Sequence, residues 1–153
     1  MTLTKRSDYG LRAALELAAH YDQGPLSAHR IAKRSGLPEP FVKKLLQQLV
    51  VANVARSLRG RGGGYVLEKR PDEISLREVL EAFEELAPVS CLRQIPSETA
   101  PCTVELVETD CPTRAAWKVV DRRVRVALET VTLADLLEEV RARSLTLERS
   151  THA

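Results

Sequence analysis

A glycine-rich segment between two short apolar runs is the feature that most restricts the fold. Residues 54–58 and 65–67 can each form a strand, and residues 59–64, Arg-Gly-Arg-Gly-Gly-Gly, can form the tip that joins them. Glycine permits positive φ and a close approach of the backbone to a partner. No helix opens directly after Gly64 and the chain lacks the Gly-Lys pair of a phosphate-binding loop, which favours a hairpin over a nucleotide site. The segment therefore predicts a two-stranded β-hairpin.

The residues upstream of the hairpin predict helices. The first helix covers residues 9–21, where Ser7 or Asp8 can cap the start. A break follows, after which Ser27 can cap a short helix that stops at Gly36.

A longer helix follows almost at once, from near Pro38 to about Ala52. Its apolar stripe consists of Val42, Leu45, Leu46 and Leu49. A short helix, a glycine turn and an apolar-striped helix are typical of a helix-turn-helix. We therefore predict a mainly α fold with a small β-hairpin wing, in which residues 1–70 form a winged helix-turn-helix domain.

The charge distribution indicates a polyanion partner for that domain. Residues 1–70 hold 13 Lys or Arg and 5 Asp or Glu, a net charge of +8, whereas the rest of the chain holds 10 and 16, a net charge of −6. Double-stranded DNA is the predicted partner. The candidate contacts are Lys43, Lys44 and Gln47 on the longer helix, Arg59 and Arg61 in the wing, and Ser27 and Arg56 on phosphates. A winged-helix protein–protein interaction module is the alternative from a different class.

Residues 71–111 are predicted to hold a connecting helix and a cysteine-bearing segment. Ser75 and Glu78 form a capping box for a helix that runs to about Leu86. The chain's three cysteines, Cys91, Cys102 and Cys111, follow with ten and eight residues between them. This spacing matches neither paired zinc ligands nor a ferredoxin run, and an odd count argues against a disulfide framework. Thiolate ligands and redox thiols both stay open.

Residues 112–153 are predicted to form a dimerisation helix and a final short helix. The long helix begins at Pro112, and its apolar seam consists of Trp117, Val120, Val124, Ala127 and Val131. A narrow seam with charged flanks needs a partner, and a second copy of the chain is the simplest one. The alternative is that the seam packs against its own chain. The final helix is predicted over residues 132–141, with a fraying tail from Ser144.

The sequence argues against two classes of protein, membrane or secreted proteins and enzymes. No segment approaches the roughly 20 apolar residues that span a bilayer, and the N-terminus lacks the apolar region of a signal peptide, so we expect a cytoplasmic protein. No cysteine has a histidine nearby in sequence and no Ser/His/Asp pattern occurs, which argues against an enzyme.

Five sequence features together are specific. They are the opening LTKRSDYGLR at residues 3–12, the wing RGRGGGYVL at 59–67, the three cysteines, Trp117, and TLADLL at 132–137. In these features the chain resembles the Rrf family of bacterial winged-helix regulators, which includes IscR-like and NsrR-like members. The resemblance implies a homodimer crossed through the long helix that presents two winged helices to a palindromic promoter site.

The same resemblance implies a cofactor. Cluster-bearing members of the family hold a 2Fe-2S or 4Fe-4S iron–sulfur cluster on three cysteines, which correspond here to Cys91, Cys102 and Cys111. IscR-like members add a histidine where this chain has Arg114, which cannot ligate iron. NsrR-like members use a carboxylate of the other subunit, at the position of Asp8. A role for Asp8 as a helix cap stays open beside that of a ligand.

These implications give a hypothesis for control of the regulator. An intact cluster would tie the cysteine segment of one subunit to the first helix of the other and so set the spacing of the two recognition helices. The sensed signal would then be nitric oxide, redox state or iron availability. A switch by thiol oxidation, zinc or a small molecule is the alternative within the same class of DNA-binding dimer.

Overall fold

The computed structural model describes residues 3–89, residue 92 and residues 111–150, with the backbone alone for residues 143–150. Six α-helices and one hairpin lie in these ranges. They are α1 (Lys5–Ala19), α2 (Ala28–Ser35), α3 (Glu39–Val51), β1 (Ala55–Leu58), β2 (Gly64–Leu67), α4 (Leu76–Glu81), α5 (Pro112–Thr130) and α6 (Leu133–Ser150). We call α1 to α4 with the hairpin, residues 3–86, the body.

Helix α1 begins four residues earlier than the sequence predicts. Thr4 is its N-cap, and the Thr4 hydroxyl accepts a hydrogen bond from the Ser7 N–H at 3.4 Å. Ser7 is fully buried and Asp8 lies inside the first turn, so the prediction that either residue caps the helix is wrong. A carboxylate in the first turn still favours the helix, because it faces the positive end of the helix dipole.

The structure confirms the predicted helix-turn-helix: the order of its two helices, the cap of α2 and the buried face of α3. The Ser27 hydroxyl accepts from the Arg30 N–H at 3.3 Å and starts α2, which ends at Gly36 in the left-handed region with φ 68°. Pro38 is the N-cap of α3. The predicted apolar stripe of α3 is completely buried: Val42, Leu45, Leu46 and Leu49 have no exposed surface. Burial of this stripe fixes which face of α3 points outward.

The hairpin is confirmed as an antiparallel pair in which Ala55 lies opposite Leu67 and Leu58 lies opposite Gly64. Its tip needs glycine at Gly60 and Gly62, where φ is 102° and 79°. The hairpin therefore projects from the body as a wing.

Residues beyond the hairpin complete the core of the body. Ile74 and Val79 are buried in the same cluster as α1 to α3, and Leu133 at the start of α6 joins them with no exposed surface. Two backbone hydrogen bonds hold this return: the Leu76 N–H donates to the Val131 carbonyl at 2.7 Å, and the Leu133 N–H donates to the Ile74 carbonyl at 3.0 Å. The start of α6 is thus part of the body's packing.

Two helix ends differ from the sequence prediction. Helix α4 ends at Glu81 instead of near Leu86, because Phe83 and Glu84 turn aside to pack on α1. Helix α6 continues to Ser150, nine residues beyond the predicted end at Arg141.

Helix α5 begins at Pro112 as predicted, but none of its residues is buried. It contacts α4 through ion pairs, in which the Arg125 guanidinium lies 3.0 Å from Glu81 and Arg77 lies 3.4 Å from Glu129. Trp117 and Val120 of the seam remain 41% and 43% exposed. The N-terminal part of the seam is therefore exposed, whereas Val124 and Val131 are partly buried within the chain.

Within the described ranges, no helix combines the length and the apolar character that a bilayer crossing requires.

Candidate nucleic-acid interface and cysteine site

The outward surface of α3 is polar and open to solvent. Lys43, Lys44 and Gln47 are all exposed, which is where the sequence predicted contacts to DNA. Val51, at the end of the same surface, is 84% exposed. Because the four residues of the apolar stripe are buried on the opposite face, the orientation of α3 is fixed and these side chains face solvent.

A carboxylate lies among the cations of this surface. Glu39, in the first turn of α3, has one oxygen 2.8 Å from Lys43 Nζ and the other 3.0 Å from His29 Nδ1 of α2. Hydrogen bonds from Lys43 and His29 lower the pKa of Glu39, and the hydrogen bond to Glu39 raises the pKa of Lys43. Sequence reasoning missed the contact with His29, although the four-residue spacing of Glu39 and Lys43 was visible.

The wing carries its predicted arginines in an open position. Arg59 and Arg61 are exposed, and neither takes part in an ion pair with a residue that the structure describes. Arg56 on β1 differs, since its Nε lies 3.8 Å from Glu68 in a loose, exposed pair. The two tip arginines are therefore available to a polyanion.

Backbone pairing holds the wing beside the helix-turn-helix. Leu26 and Tyr65 exchange two hydrogen bonds of 3.0 Å, and a Cβ on Gly64 would lie 2.7 Å from the Leu26 carbonyl oxygen. Ser27, a predicted phosphate contact, follows directly, and its hydroxyl accepts from Arg30 as the α2 cap. Its hydroxyl hydrogen stays available for donation. The wing, α2 and α3 thus form one surface.

The N-terminus of α1 is held by residues that precede the cysteine segment. The Glu84 carboxylate accepts from the Thr4 N–H at 3.0 Å, the Thr4 hydroxyl at 3.2 Å and the Ser7 hydroxyl. A Cβ on Gly10 would collide with the Phe83 ring. Burial raises the pKa of Glu84, but the hydrogen bonds from Ser7 and Thr4 outweigh it, so the pKa is lowered. We call these contacts of Phe83 and Glu84 with α1 the α1 clamp.

A hydrogen bond also joins α1, which the clamp holds, to α3. The Arg6 Nε donates to the Gln48 side-chain oxygen at 2.9 Å, which joins the first turn of α1 to the C-terminal half of α3. Sequence reasoning missed both sets of contacts, because their partners lie about 40 and 80 residues apart and share no local pattern.

Asp8, a cap or a ligand in the sequence prediction, lies in the first turn of α1. Its side chain is 54% exposed and its carboxylate lies 3.3 Å from Arg12 Nε. Thr4 performs the capping, while the Asp8 carboxylate faces the positive end of the helix dipole and forms this exposed pair.

Cys111 is the one predicted cysteine ligand that lies within the described residues. It directly precedes α5, it is half-buried, and its sulfur lies 3.1 Å from the Thr113 hydroxyl. Hydrogen bonding from Thr113 lowers the pKa of the Cys111 thiol and favours the thiolate. Cys91 and Cys102 fall outside the described residues. Within the described part of a single chain, no three His, Cys, Asp or Glu residues gather as they would around a metal ion.

Comparison with known proteins gives a consistent result. Residues 3–139 match the family model Rrf2, described as iron-dependent transcriptional regulator. An HTH-type transcriptional regulator of Synechocystis sp. is 36% identical over 142 residues, which cover 93% of this chain and 91% of that one. Protein rrf2 of Nitratidesulfovibrio vulgaris is 36% identical over 140 residues, with 91% and 89% covered.

Solved structures agree with the sequence relatives. The structure of CymR, the global cysteine regulator of B. subtilis, has a TM-score of 0.70 at 29% identity and covers 91% of this chain and 98% of that one. T. potens IscR has a TM-score of 0.69 at 27% identity, with 92% and 88% covered. The winged-helix architecture predicted from the sequence is thereby confirmed.

Proposed function

Because the chain belongs to the Rrf2 family and is a DNA-binding transcriptional regulator rather than an enzyme, we propose that it binds a palindromic promoter site as a homodimer and changes its binding through its cysteines. The observation that carries the DNA-binding part is the shared surface of α3 and the wing. Exposed polar and basic side chains of α3 and the free arginines of the wing tip lie on elements that backbone pairing holds together.

Each element of this surface has its own part in binding. Helix α3 enters the major groove, where Lys43, Lys44 and Gln47 reach base edges or phosphates. Arg59 and Arg61 clamp the adjacent minor groove or its phosphates, while Ser27 and Arg56 contact the backbone. Arg56 contributes least among the arginines, because Glu68 offsets its charge.

The exposed face of α5 supports the homodimer. Trp117 and Val120 of the seam are 41% and 43% exposed, and an exposed apolar helix face is stabilised by burial against a partner. A second copy of α5 provides a matching surface under two-fold symmetry. Such a dimer presents two copies of α3 to two half-sites.

The proposed cofactor is an iron–sulfur cluster held by Cys91, Cys102 and Cys111, with Asp8 of the other subunit as the fourth ligand. The two of these residues that the structure describes suit the role, since Cys111 has a thiol with a lowered pKa and Asp8 has an exposed carboxylate. A bound 2Fe-2S or 4Fe-4S cluster would supply sensitivity to nitric oxide, redox state or iron availability. An oxygen ligand binds iron less firmly than a thiolate does, which suits a labile site.

A thiol switch is the second candidate, and the Cys111 environment favours it too. The thiolate is the reactive form of cysteine, and Thr113 shifts Cys111 toward it. Among the structural relatives, CymR is named the global cysteine regulator of B. subtilis, and S. aureus CymR has a structure in an oxidised form. A zinc switch at the same cysteines, or a switch by a small molecule, belongs to this alternative.

Replacement of Arg59 by Ala tests the DNA-binding surface. We expect operator affinity to fall at least about tenfold, because a groove or phosphate contact is lost, while the dimer stays intact. The measurement is a fluorescence-anisotropy titration with an operator duplex selected from random DNA, together with sedimentation. Arg141→Ala, which removes an exposed arginine from α6, is the matched control. Equal affinity of Arg59→Ala and wild type would rule out the wing contact.

Purification without oxygen tests the cofactor. We expect a coloured protein with stoichiometric iron and acid-labile sulfide, and a less stable chromophore in Asp8→Ala. Asp22→Ala, an exposed aspartate beyond the end of α1, is the control. A colourless, iron-free protein that still binds the operator would favour the thiol, zinc or small-molecule switch.

A further inference from the structure

Glu39 is the only acidic side chain among the outward-facing residues of α3, and it lies on the surface proposed to meet DNA. Its side chain is 34% exposed, and its two oxygens contact different partners, one Lys43 Nζ on α3 and the other His29 Nδ1 on α2. The two contacts from different elements fix the carboxylate in one position at the N-terminal end of the helix. Recognition helices use residues near this end to contact base edges.

Helix stabilisation alone does not account for this arrangement. Exposed ion pairs contribute little, typically about 0.2–1 kcal/mol, and an acidic residue facing DNA repels every phosphate that approaches it. Such a residue therefore weakens binding to any duplex unless it gains a specific contact there. For a carboxylate, the available base contact is the exocyclic amine of cytosine, which donates from the major groove.

The bonding of Glu39 leaves room for that contact. An ionised carboxylate has about four acceptor positions, and the hydrogen bonds from Lys43 and His29 use two of them. Lys43, which lies beside the carboxylate, is a donor suited to guanine O6 and N7. The pair thus offers an acceptor for cytosine and a donor for guanine at adjacent points of α3.

We propose that Glu39 is a specificity-determining residue that selects cytosine at one position of each half-site and holds Lys43 for a guanine contact. This inference rests on the entry of α3 into the major groove, which belongs to the proposed function. His29 acts as a positioning residue, since it contacts the carboxylate from α2.

The test is selection of binding sites from a randomised duplex library by the full-length protein, followed by titration of single-base variants of the selected site. Wild type is compared with Glu39→Gln, which removes the charge, and Glu39→Asp, which keeps the charge and shortens the reach. Glu138→Gln on the exposed surface of α6 makes the same change of net charge away from α2, α3 and the wing.

We expect wild type to discriminate against loss of cytosine at one position per half-site by about tenfold. Both Glu39 variants should lose this discrimination at that position and keep the preferences at the others. Glu39→Gln should also bind random DNA more tightly than Glu138→Gln does, whereas Glu39→Asp should bind random DNA as wild type does.

Two results would overturn the inference, and they differ in what else they affect. A wild type that selects a site, with Glu39 variants that select the same site to the same degree, would remove Glu39 from base recognition and leave the proposed function intact. A wild type that selects no sequence above random DNA would overturn both. Circular dichroism and sedimentation confirm that each variant is folded and dimeric before it is scored.

Discussion

The body and helix α5 are stabilised in different ways within one chain. In the body, the apolar faces of α1, α2, α3 and α4 are buried against each other, and a cluster of side chains including Ile31, Leu46 and Val79 has no exposed surface. In α5, none of the 19 residues is buried, and two ion pairs join the helix to α4. Burial of apolar surface contributes roughly 25 cal/mol per Å², whereas exposed ion pairs contribute little.

This difference indicates where the stability of each part comes from. The core of the body, including Leu133, lies within one chain, so the body should keep its fold at any protein concentration. Helix α5 gains comparable stabilisation only when its apolar face is covered, so its order should depend on the concentration of partner chains. Under the proposed function, dimerisation would use the part of the molecule whose packing is incomplete in a single chain.

The largest expected effect is in the body. Leu46→Ala removes a fully buried side chain from α3 and should lower the free energy of unfolding by about 2–5 kcal/mol. Urea unfolding followed by circular dichroism measures this loss. Val51→Ala on the same helix is the control, and because Val51 is 84% exposed we expect a change below about 0.5 kcal/mol. Equal losses in the two variants would contradict the assignment of the buried face.

The next effect concerns α5. Val120→Glu places a charge on the exposed apolar seam and should weaken dimerisation at least about 100-fold, because a carboxylate would have to be desolvated at the interface. Sedimentation at several protein concentrations measures the dissociation constant. The unfolding of the body should change little. Val51→Glu makes the same chemical change at an exposed valine of α3 and should leave the dimer unchanged, and a dimer that tolerates Val120→Glu would place the interface elsewhere.

The sequence predicted the helices and hairpin of the body far better than the long-range contacts that join them. The buried stripe of α3, the caps Ser27 and Ser75 and the wing all follow from local spacing, which is what the physics of a single helix or hairpin determines. The α1 clamp and the place of Leu133 in the core depend on contacts between residues more than 50 positions apart. Local sequence periodicity does not predict such long-range contacts. The early end of α4 results from them, because Phe83 and Glu84 pack on α1.

The site shows the same division between local and distant information. Exposure of Lys43, Lys44, Arg59 and Arg61 was predictable from helix and hairpin patterns. The bond from His29 to Glu39 was not, because it depends on the angle between α2 and α3. The use of Thr4 instead of Ser7 as the N-cap of α1 has a similar origin, because Glu84 from a distant segment stabilises the earlier helix start.

The smallest of the three effects concerns the α1 clamp, which joins the body to the segment before the cysteines. Glu84→Gln keeps an acceptor oxygen but removes the charge, and should cost about 1 kcal/mol of unfolding free energy near pH 7. Because the pKa of Glu84 is lowered in the folded state, its stabilisation is present above the ordinary pKa and is lost as pH falls through the lowered value.

Unfolding of wild type and Glu84→Gln between pH 3 and pH 7, at a temperature where both are folded, measures this dependence. The difference in stability between the two proteins should shrink below about pH 4.5. Glu138→Gln gives the baseline for loss of an exposed carboxylate. A difference that stays constant across this range would mean that the Glu84 charge does not stabilise the α1 N-terminus.

Leu133 has a consequence for how the protein is made. This side chain closes the core of the body, yet it lies more than 40 residues after the last residue of α4 along the chain. A ribosome that has released the wing and α4 has therefore exposed a body whose core lacks its closing residue, and the apolar gap stays open until the start of α6 emerges. The proposed DNA-binding surface is synthesised first, but the core beneath it is completed only when the start of α6 emerges, so a nascent regulator should present an unfinished body rather than an active one.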